Sequence, residues 1–239
     1  MIKIELHVHS LGGSYCAKAS AAQIAARLKN EGYGGVMITN HYNERSFMIE
    51  YAAKDFKSKM DYYCSLFDEV KAECEKVGLK AFFGAEVAVK PCGTEYVIVG
   101  FDREFLYNHD YLFKLTQEQL FELADKNGLF MYQPHPARHG VKFGNPKFMH
   151  GAEWFNSHLH HNNHNALAEN FCKENNLIKV SGNDFHVADQ PLIGGALIPN
   201  RINDEKQLAE YLKSGKCKMY KDEIAYQQAL KWYMEEDKN

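Results

Sequence analysis

Ile4-Glu5-Leu6-His7-Val8-His9-Ser10, near the start of the 239-residue chain, is the stretch on which the reading turns. Ile2, Ile4 and Leu6 alternate with charged partners, the pattern of a short strand. Side chains two apart on a strand share a face, so His7 and His9 project together where that strand ends. Two imidazoles on one face with no charged group between them suit a divalent metal. In a chain with 12 His, the pair gains meaning only from partners at later strand ends.

Working outward, Ser10 to Ala19 is a loop broken by Gly12-Gly13. Ser20 and Gln23 form a capping box that opens a helix, Ile24 and Leu28 share its face, and Gly32 stops it. Gly35 to Thr39 is a buried strand that delivers Asn40 and His41. Glu44 to Val77 reads as helix, in one or two segments, with Phe56, Met60, Tyr63 and Phe67 as an aromatic-rich packing stripe. Gly78 ends it. Lys80 to Ala85 is a strand ending at Glu86, and Glu95 to Gly100 is the next. Thr116, with Gln119 in the box position, caps another helix before Gly128. The strand Leu129 to Tyr132 delivers His135, and Ala152 to Asn156 opens into a His-rich loop, His158 to His164. After a helix from about Asn165 to Glu174, the strand Leu177 to Ser181 ends at Asp184 and His186. Asn203 is placed as the cap of a helix through Leu212, and Glu223 to Met234 as a terminal amphipathic helix. About seven strands alternating with helices imply a parallel α/β sheet closed as a barrel.

Composition narrows the function. A formal net charge of -3 with no run of Lys or Arg argues against an electrostatic nucleic-acid binder. No apolar run is long enough for a membrane span, and the sequence enters its first strand without a charged-then-apolar leader. The 6 Cys are scattered without a Cys-x-x-Cys pair, which fits free thiols in a reducing cytoplasm.

Taken strand end by strand end, the polar groups are His7 and His9, His41, Glu86, His135, and Asp184 with His186. The C-terminal edge of an α/β barrel is where sites are assembled from several loops. Each residue alone has a bland explanation, but their recurrence at successive strand ends implies one shared metal site.

These segments, His7-Val8-His9, Ile38-Thr39-Asn40-His41, Gly84-Ala85-Glu86, His135-Pro136 and Ser181 to His186, together resemble the ordered motifs of the PHP (polymerase and histidinol phosphatase) superfamily. The resemblance spans residues 2 to about 198. It implies one distorted (β/α)7 barrel domain over 1–239, with 199–239 packing on it, and two to three divalent ions. By resemblance His7, His9, Glu86 and Asp184 hold one ion, Glu86 bridges to a second near His135, and His41 with His186 serves a third. The chain departs from the pattern at Asn40, where the family has Asp, at Cys16, where it often has an Asp or His ligand, and at Glu95-Tyr96, where it often has a His. Cys16 as a thiolate ligand would favour zinc, and Glu95 is a substitute ligand at the second position.

The ligand types suit Zn, Mn or Fe. The expected chemistry is a metal-activated hydroxide attacking phosphorus in line, with Glu86 shared between ions and Asp184 or His186 protonating the leaving group. Arg138, His160, His161, His164 and Lys18 are the candidates for binding substrate phosphate, Arg138 through its bidentate fork. The leading expectation is therefore a phosphoesterase acting on a small phosphomonoester such as histidinol phosphate or a nucleotide, with neither a membrane nor a long nucleic acid as partner. Two alternatives stand. One is an amidohydrolase-type barrel, disfavoured by Glu86 in the bridging position and His41 on the second strand. The other is a metal-binding barrel without catalysis, supported by Asn40 and Tyr96. His109, His139 and His150 read as surface residues.

Overall fold

The opening alternation becomes β1 (Ile2–Val8), and the capping box of Ser20 and Gln23 opens α1 (Ala21–Asn30) as the sequence implies. The computed structural model describes residues 1–236 other than Ser14 and Ala53. There follow β2 (Gly35–Ile38), a two-residue β3 (His41–Tyr42), a π-helical turn (Ser46–Glu50) and α2 (Phe56–Lys76). Next come β4 (Lys80–Ala88), β5 (Glu95–Val99), α3 (Arg103–Asn108), α4 (Gln117–Lys126) and β6 (Phe130–Gln133). The chain continues through β7 (Gly151–Asn156), α5 (Asn165–Glu174), β8 (Ile178–Gly182), β9 (Gly194–Ile198), α6 (Glu205–Lys213), β10 (Lys218–Lys221) and α7 (Glu223–Glu236).

Nine of these strands form one sheet in the order β10-β9-β1-β2-β4-β5-β6-β7-β8, and β3 pairs with β4 beside it. The sheet curls until its ends meet. Val8 bridges Phe185 just beyond β8, with His9 N–H donating to Phe185 O at 2.9 Å and Phe185 N–H to His7 O at 3.0 Å. This closure lays the Asp184-Phe185-His186 segment directly against the His7-Val8-His9 strand end. The architecture is the distorted TIM-like α/β barrel that the sequence implies.

The distortions have local causes. β5 runs antiparallel to β4 because residues 89–94 are too few for a crossover, which needs about a dozen or more. Glu95 therefore reaches the site end from the start of its strand, opposite Ala88 in register. Glu86 lies inside β4 and not beyond it, since the strand runs on to Ala88. Two strands carry no clear pattern in the sequence: β9, hidden by its paired glycines, and β10, a lysine-bounded edge strand. Asp204, not Asn203, caps α6, its side chain accepting from Gln207 N–H, while Asn203 Oδ1 accepts from Lys80 Nζ at 2.8 Å. His150 is half-buried and not a surface residue, with Nδ1 accepting from Met131 N–H.

Two apolar cores hold the layers. One gathers Ile4, Leu6, Met37, Phe82, Val97, Phe130, Tyr132, Val180 and Ile198 with Leu208 and Leu212 of α6. Drawing side chains from strands all round the sheet, it lies inside the curve. The other sits between the strands and α1, α2 and α4, and contains the stripe residues Met60, Tyr63 and Phe67. Strand pairing is irregular at two places, between Glu5 and Val8 and between Glu153 and Phe155, and such bulges re-aim side chains beside sites.

Gly182, at the end of β8, allows a close approach at the site: a Cβ there would lie 2.4 Å from Glu153 Oε1 and 2.8 Å from the His7 Cβ. Gly182→Ala is expected to destabilise the fold by about 1–3 kcal/mol through overpacking, read by urea denaturation. An unchanged midpoint would show that Glu153 and His7 are not held as described.

Candidate metal centre

His7 and His9 are wholly buried, and each is aimed by backbone that the barrel closure fixes. The His7 ring is oriented from behind: its Nδ1 lies 3.1 Å from Glu153 Oε1. That contact puts the ring proton on Nδ1 and leaves the Nε2 lone pair facing forward. In front of Nε2 stand His9 Nε2 at 3.0 Å, Glu86 Oε1 at 3.3 Å and Asp184 Oδ1 at 3.3 Å. His9 Nε2 is in turn 3.5 Å from Glu86 Oε2 and 3.2 Å from Asp184 Oδ1. Ligands about 2.0–2.1 Å from a tetrahedral ion stand about 3.3 Å apart, so these separations fit a divalent metal. Three ligand-forming atoms within 4.8 Å of one another recur in the sets His7, His9, Glu86 and His7, His135, Asp184.

Neighbouring groups extend the cluster. Glu86 is shared, with Oε1 3.2 Å from His135 Nε2 and Oε2 2.7 Å from His41 Nδ1. Glu95 supplies a second carboxylate there, its oxygens 3.4 Å from His41 Nδ1 and 3.7 Å from His135 Nε2. His9, His41 and His186 form a further possible ligand set, the His9 and His186 rings stacked at 4.3 Å. Cys16 Sγ lies 3.6 Å from His41 Nε2. Its loop is tied down by Lys18 and Ala19 N–H groups, which donate to His186 O at 2.8 and 3.0 Å. Burial would raise the Cys16 thiol, but hydrogen bonds with His186 and His41 bring it down to about 5, in the thiolate range at neutral pH.

The electrostatics follow from packing carboxylates and imidazoles out of water. Burial opposes charge on Glu86 and Asp184, yet His41 and His7 hold Glu86, and His7, Arg138 and His186 hold Asp184, well below the usual carboxylate range. Burial, reinforced by His186 and His41, pushes His9 well below an ordinary histidine. Burial lowers His7 too, but Asp184, Glu153 and Glu86 outweigh it and hold its pKa well up. A proton and a metal ion thus compete for one nitrogen.

Several supports lie outside the strand-end motifs. Glu153, fully buried, also accepts from His135 N–H at 2.8 Å and Asn156 Nδ2 at 2.8 Å. Those bonds secure His135, whose φ of 31° is left-handed, as is the 50° of Asp184. Glu5 accepts from His7 N–H at 3.0 Å and Asn183 N–H at 2.8 Å, and burial pushes it up to about 8. A charged residue amid apolar neighbours on a buried strand was the available signal for both glutamates.

Other candidates fall in different places. His160 and His161 line a cavity of about 540 Å³ over the cluster, together with Cys16, His41, Glu95, His135, Arg138, His158, Asp184 and His186. Arg138 is there, but Nη2 is spent on Asp184 Oδ2 at 2.6 Å and Nε on Asn163 Oδ1 at 2.8 Å. His164 is not in that cavity: it occupies the N-cap of α5 at a φ of 43°, facing a separate groove with Trp154 and Tyr226. Lys18 is exposed and turns back to donate to Tyr15 O at 3.1 Å. Asn40 Oδ1 accepts from Ser10 N–H at 2.8 Å, which braces the turn after β1, and Tyr96 packs into the outer core. Neither lines the cavity.

No protein-family model and no curated protein matches the sequence. Solved structures do match. A two-domain protein of Bacteroides vulgatus, described as containing a predicted PHP-like metal-dependent phosphoesterase, superposes with a TM-score of 0.63 at 18% identity, over 92% of this chain and 64% of that one. The chain has the PHP-type barrel fold. PsfC of Pseudomonas syringae aligns with a TM-score of 0.70 at 14% identity, over 96% of this chain and 95% of its own. An amidohydrolase of Chromobacterium violaceum, solved with sulfate and no metal, aligns with a TM-score of 0.56 at 12% identity, over 91% and 97%. Measured against the Bacteroides protein, this PHP-type barrel spans less than two thirds of the length.

Glu153→Gln is expected to weaken divalent-metal affinity about 10- to 100-fold, as loss of a ligand-orienting carboxylate does. Competition against a chromophoric chelator measures it, and unchanged affinity would remove Glu153 from this role. In the same assay wild-type affinity falls as pH drops through neutrality, because the proton regains His7 Nε2. An affinity that rises on acidification would contradict the ligand assignment.

Proposed function

We propose that this protein is a metal-dependent hydrolase, and specifically a phosphoesterase acting on a small phosphomonoester. The observation that carries the reading is the convergence of His7, His9, Glu86 and Asp184 beneath an open cavity that Arg138 and the histidine loop also line. Two to three divalent ions of the Zn, Mn or Fe class, held by these residues with His41, His135, His186 and Cys16, would supply an activated water and neutralise charge on a phosphoryl group. Zinc is favoured where Cys16 takes part.

The residues divide the remaining work. Glu86 offers one oxygen to the His7 and His135 side and the other to the His9 and His41 side, so it links adjacent positions. Asp184 is a poor proton donor, because His7 and Arg138 keep it ionised. That role goes to His186 where only the other two ion positions are filled, since a metal-ligating Nε2 has no proton to give. Burial lowers the His186 pKa but Asp184 and Cys16 raise it above its ordinary value, and its Nδ1 is anchored on Asp184 O at 2.9 Å. Arg138 acts first by holding Asp184 and only then by presenting its edge to the cavity. Cavity size supports a small substrate; histidinol phosphate and nucleotides are both of that kind. No helix among the described residues is long and apolar enough to cross a membrane. A cytoplasmic setting is part of the proposal, resting on six cysteines that form no disulfide.

An amidohydrolase activity is the second reading, since a barrel of that description shares the fold. Elemental analysis joined to a substrate panel separates them. The purified protein is expected to carry divalent metal and to hydrolyse p-nitrophenyl phosphate, more with added manganese, and to leave N-acyl substrates intact. Asp184→Ala should lower turnover about 100-fold or more, and unchanged turnover would overturn the scheme.

A further inference from the structure

His158 stands just past β7 with 8% of its surface exposed, in contrast to the exposed His160 and His161 of the same loop. Its position is fixed by backbone: its N–H donates to Asn156 Oδ1 at 3.0 Å, and its carbonyl accepts from Asn163 Nδ2 at 2.9 Å. The same Asn156 oxygen lies 3.5 Å from Arg138 Nη2, so one asparagine sets His158 and Arg138 beside each other. The His158 ring is 5.6 Å from that of His186 and 4.7 Å from that of His161, and it lines the cavity above the metal cluster. Its Nδ1 is buried and without a hydrogen-bond partner. A buried, unpaired imidazole nitrogen costs free energy unless something occupies the cavity to satisfy it.

The missing partner is an anion and not a further cation. His158, Asp184 and His186 do present ligand atoms within 4.8 Å, but Arg138 already sits 2.6 Å from the outer oxygen of Asp184. A cation added there would face that guanidinium. A phosphoryl oxygen would be attracted by it, and would accept from an imidazole N–H.

We propose that His158, with the adjoining edge of Arg138, is a specificity-determining contact for a terminal phosphoryl group docked beside the metal cluster. A terminal phosphoryl group has three non-bridging oxygens and one ester arm. It reaches the metal cluster and the His158 wall together while its arm leaves by the cavity mouth. An internal diester has two non-bridging oxygens and a second arm to accommodate on the buried side. His158 thus selects monoesters over diesters. This rests on the phosphoesterase reading above and deepens it.

The test uses the metal-loaded full chain and the variants His158→Ala and His158→Asn. Substrates are p-nitrophenyl phosphate and bis(p-nitrophenyl) phosphate, with orthophosphate as inhibitor. His158→Ala is expected to raise KM for the monoester and the inhibition constant of orthophosphate about tenfold, the loss of one hydrogen bond to a charged group. Metal content, kcat and the weak diester activity should change little, and His158→Asn, which keeps a donor, should restore part of the affinity even if the alanine variant folds poorly. Unchanged KM and inhibition constants, or loss of metal in either variant, would overturn the assignment. If the wild type hydrolyses neither ester, the phosphoesterase reading fails. Calorimetric titration with orthophosphate then decides the anion contact separately: binding weakened in both variants upholds it, and absent or unaltered binding overturns it.

Discussion

Four buried side chains, His7, His9, Glu86 and Asp184, gathered out of water impose the main constraint on this barrel. His7 Nε2 and His9 Nε2 stand 3.0 Å apart, and each lies 3.2 to 3.5 Å from oxygens of Glu86 and Asp184, with almost no water access. Carboxylates taken out of water are costly unless a positive charge meets them, and a divalent ion is the partner that these distances admit. The fold is arranged to hold this unfavourable grouping. Barrel closure joins the ends of β1 and β8 by direct backbone hydrogen bonds, so the residues that would repel one another cannot drift apart.

A surrounding layer of hydrogen bonds gives the cluster its orientation. Glu153 fixes the His7 ring and the strained His135 backbone in one stroke, and Gly182 leaves the space that Glu153 needs. Arg138 takes the outer oxygen of Asp184, so the inner one turns toward the histidines. Gln190 Nε2 donates to Asp184 O at 3.0 Å, supporting a residue in the left-handed region. The geometry of the cluster and the stability of the barrel therefore share the same contacts, and the ligand-orienting residues are inseparable from the closing strands.

Much of this was legible in the sequence where local rules decide the outcome. Period-two alternation gave β1, and the capping boxes at Ser20 and Thr116 placed two helices to the residue. His7, His9, His41, Glu86, His135, Asp184 and His186 could be gathered because each follows or ends an apolar run. What could not be read depended on three-dimensional partners. Whether β5 pairs parallel or antiparallel follows from a short connection, and the reversal is what brings Glu95 to the cluster. Glu5 and Glu153 stand out as charges amid apolar strand neighbours, but their partners, the His7 ring, the His135 N–H and Asn183, come into reach only when the barrel closes. In the histidine loop, composition could not tell the buried His158 from His164, which the turn into α5 carries out of the cavity. Arg138 looked like a free phosphate fork because its pairing with Asp184 spans 46 residues.

Anomalous X-ray scattering from a crystal grown with zinc or manganese tests most directly whether a cation sits between His7, His9, Glu86 and Asp184. A strong anomalous peak is expected at bonding distance from His7 Nε2, His9 Nε2 and carboxylate oxygens of Glu86 and Asp184. A metal-saturated crystal with no peak between these four residues, or with peaks only at surface histidines, would contradict it.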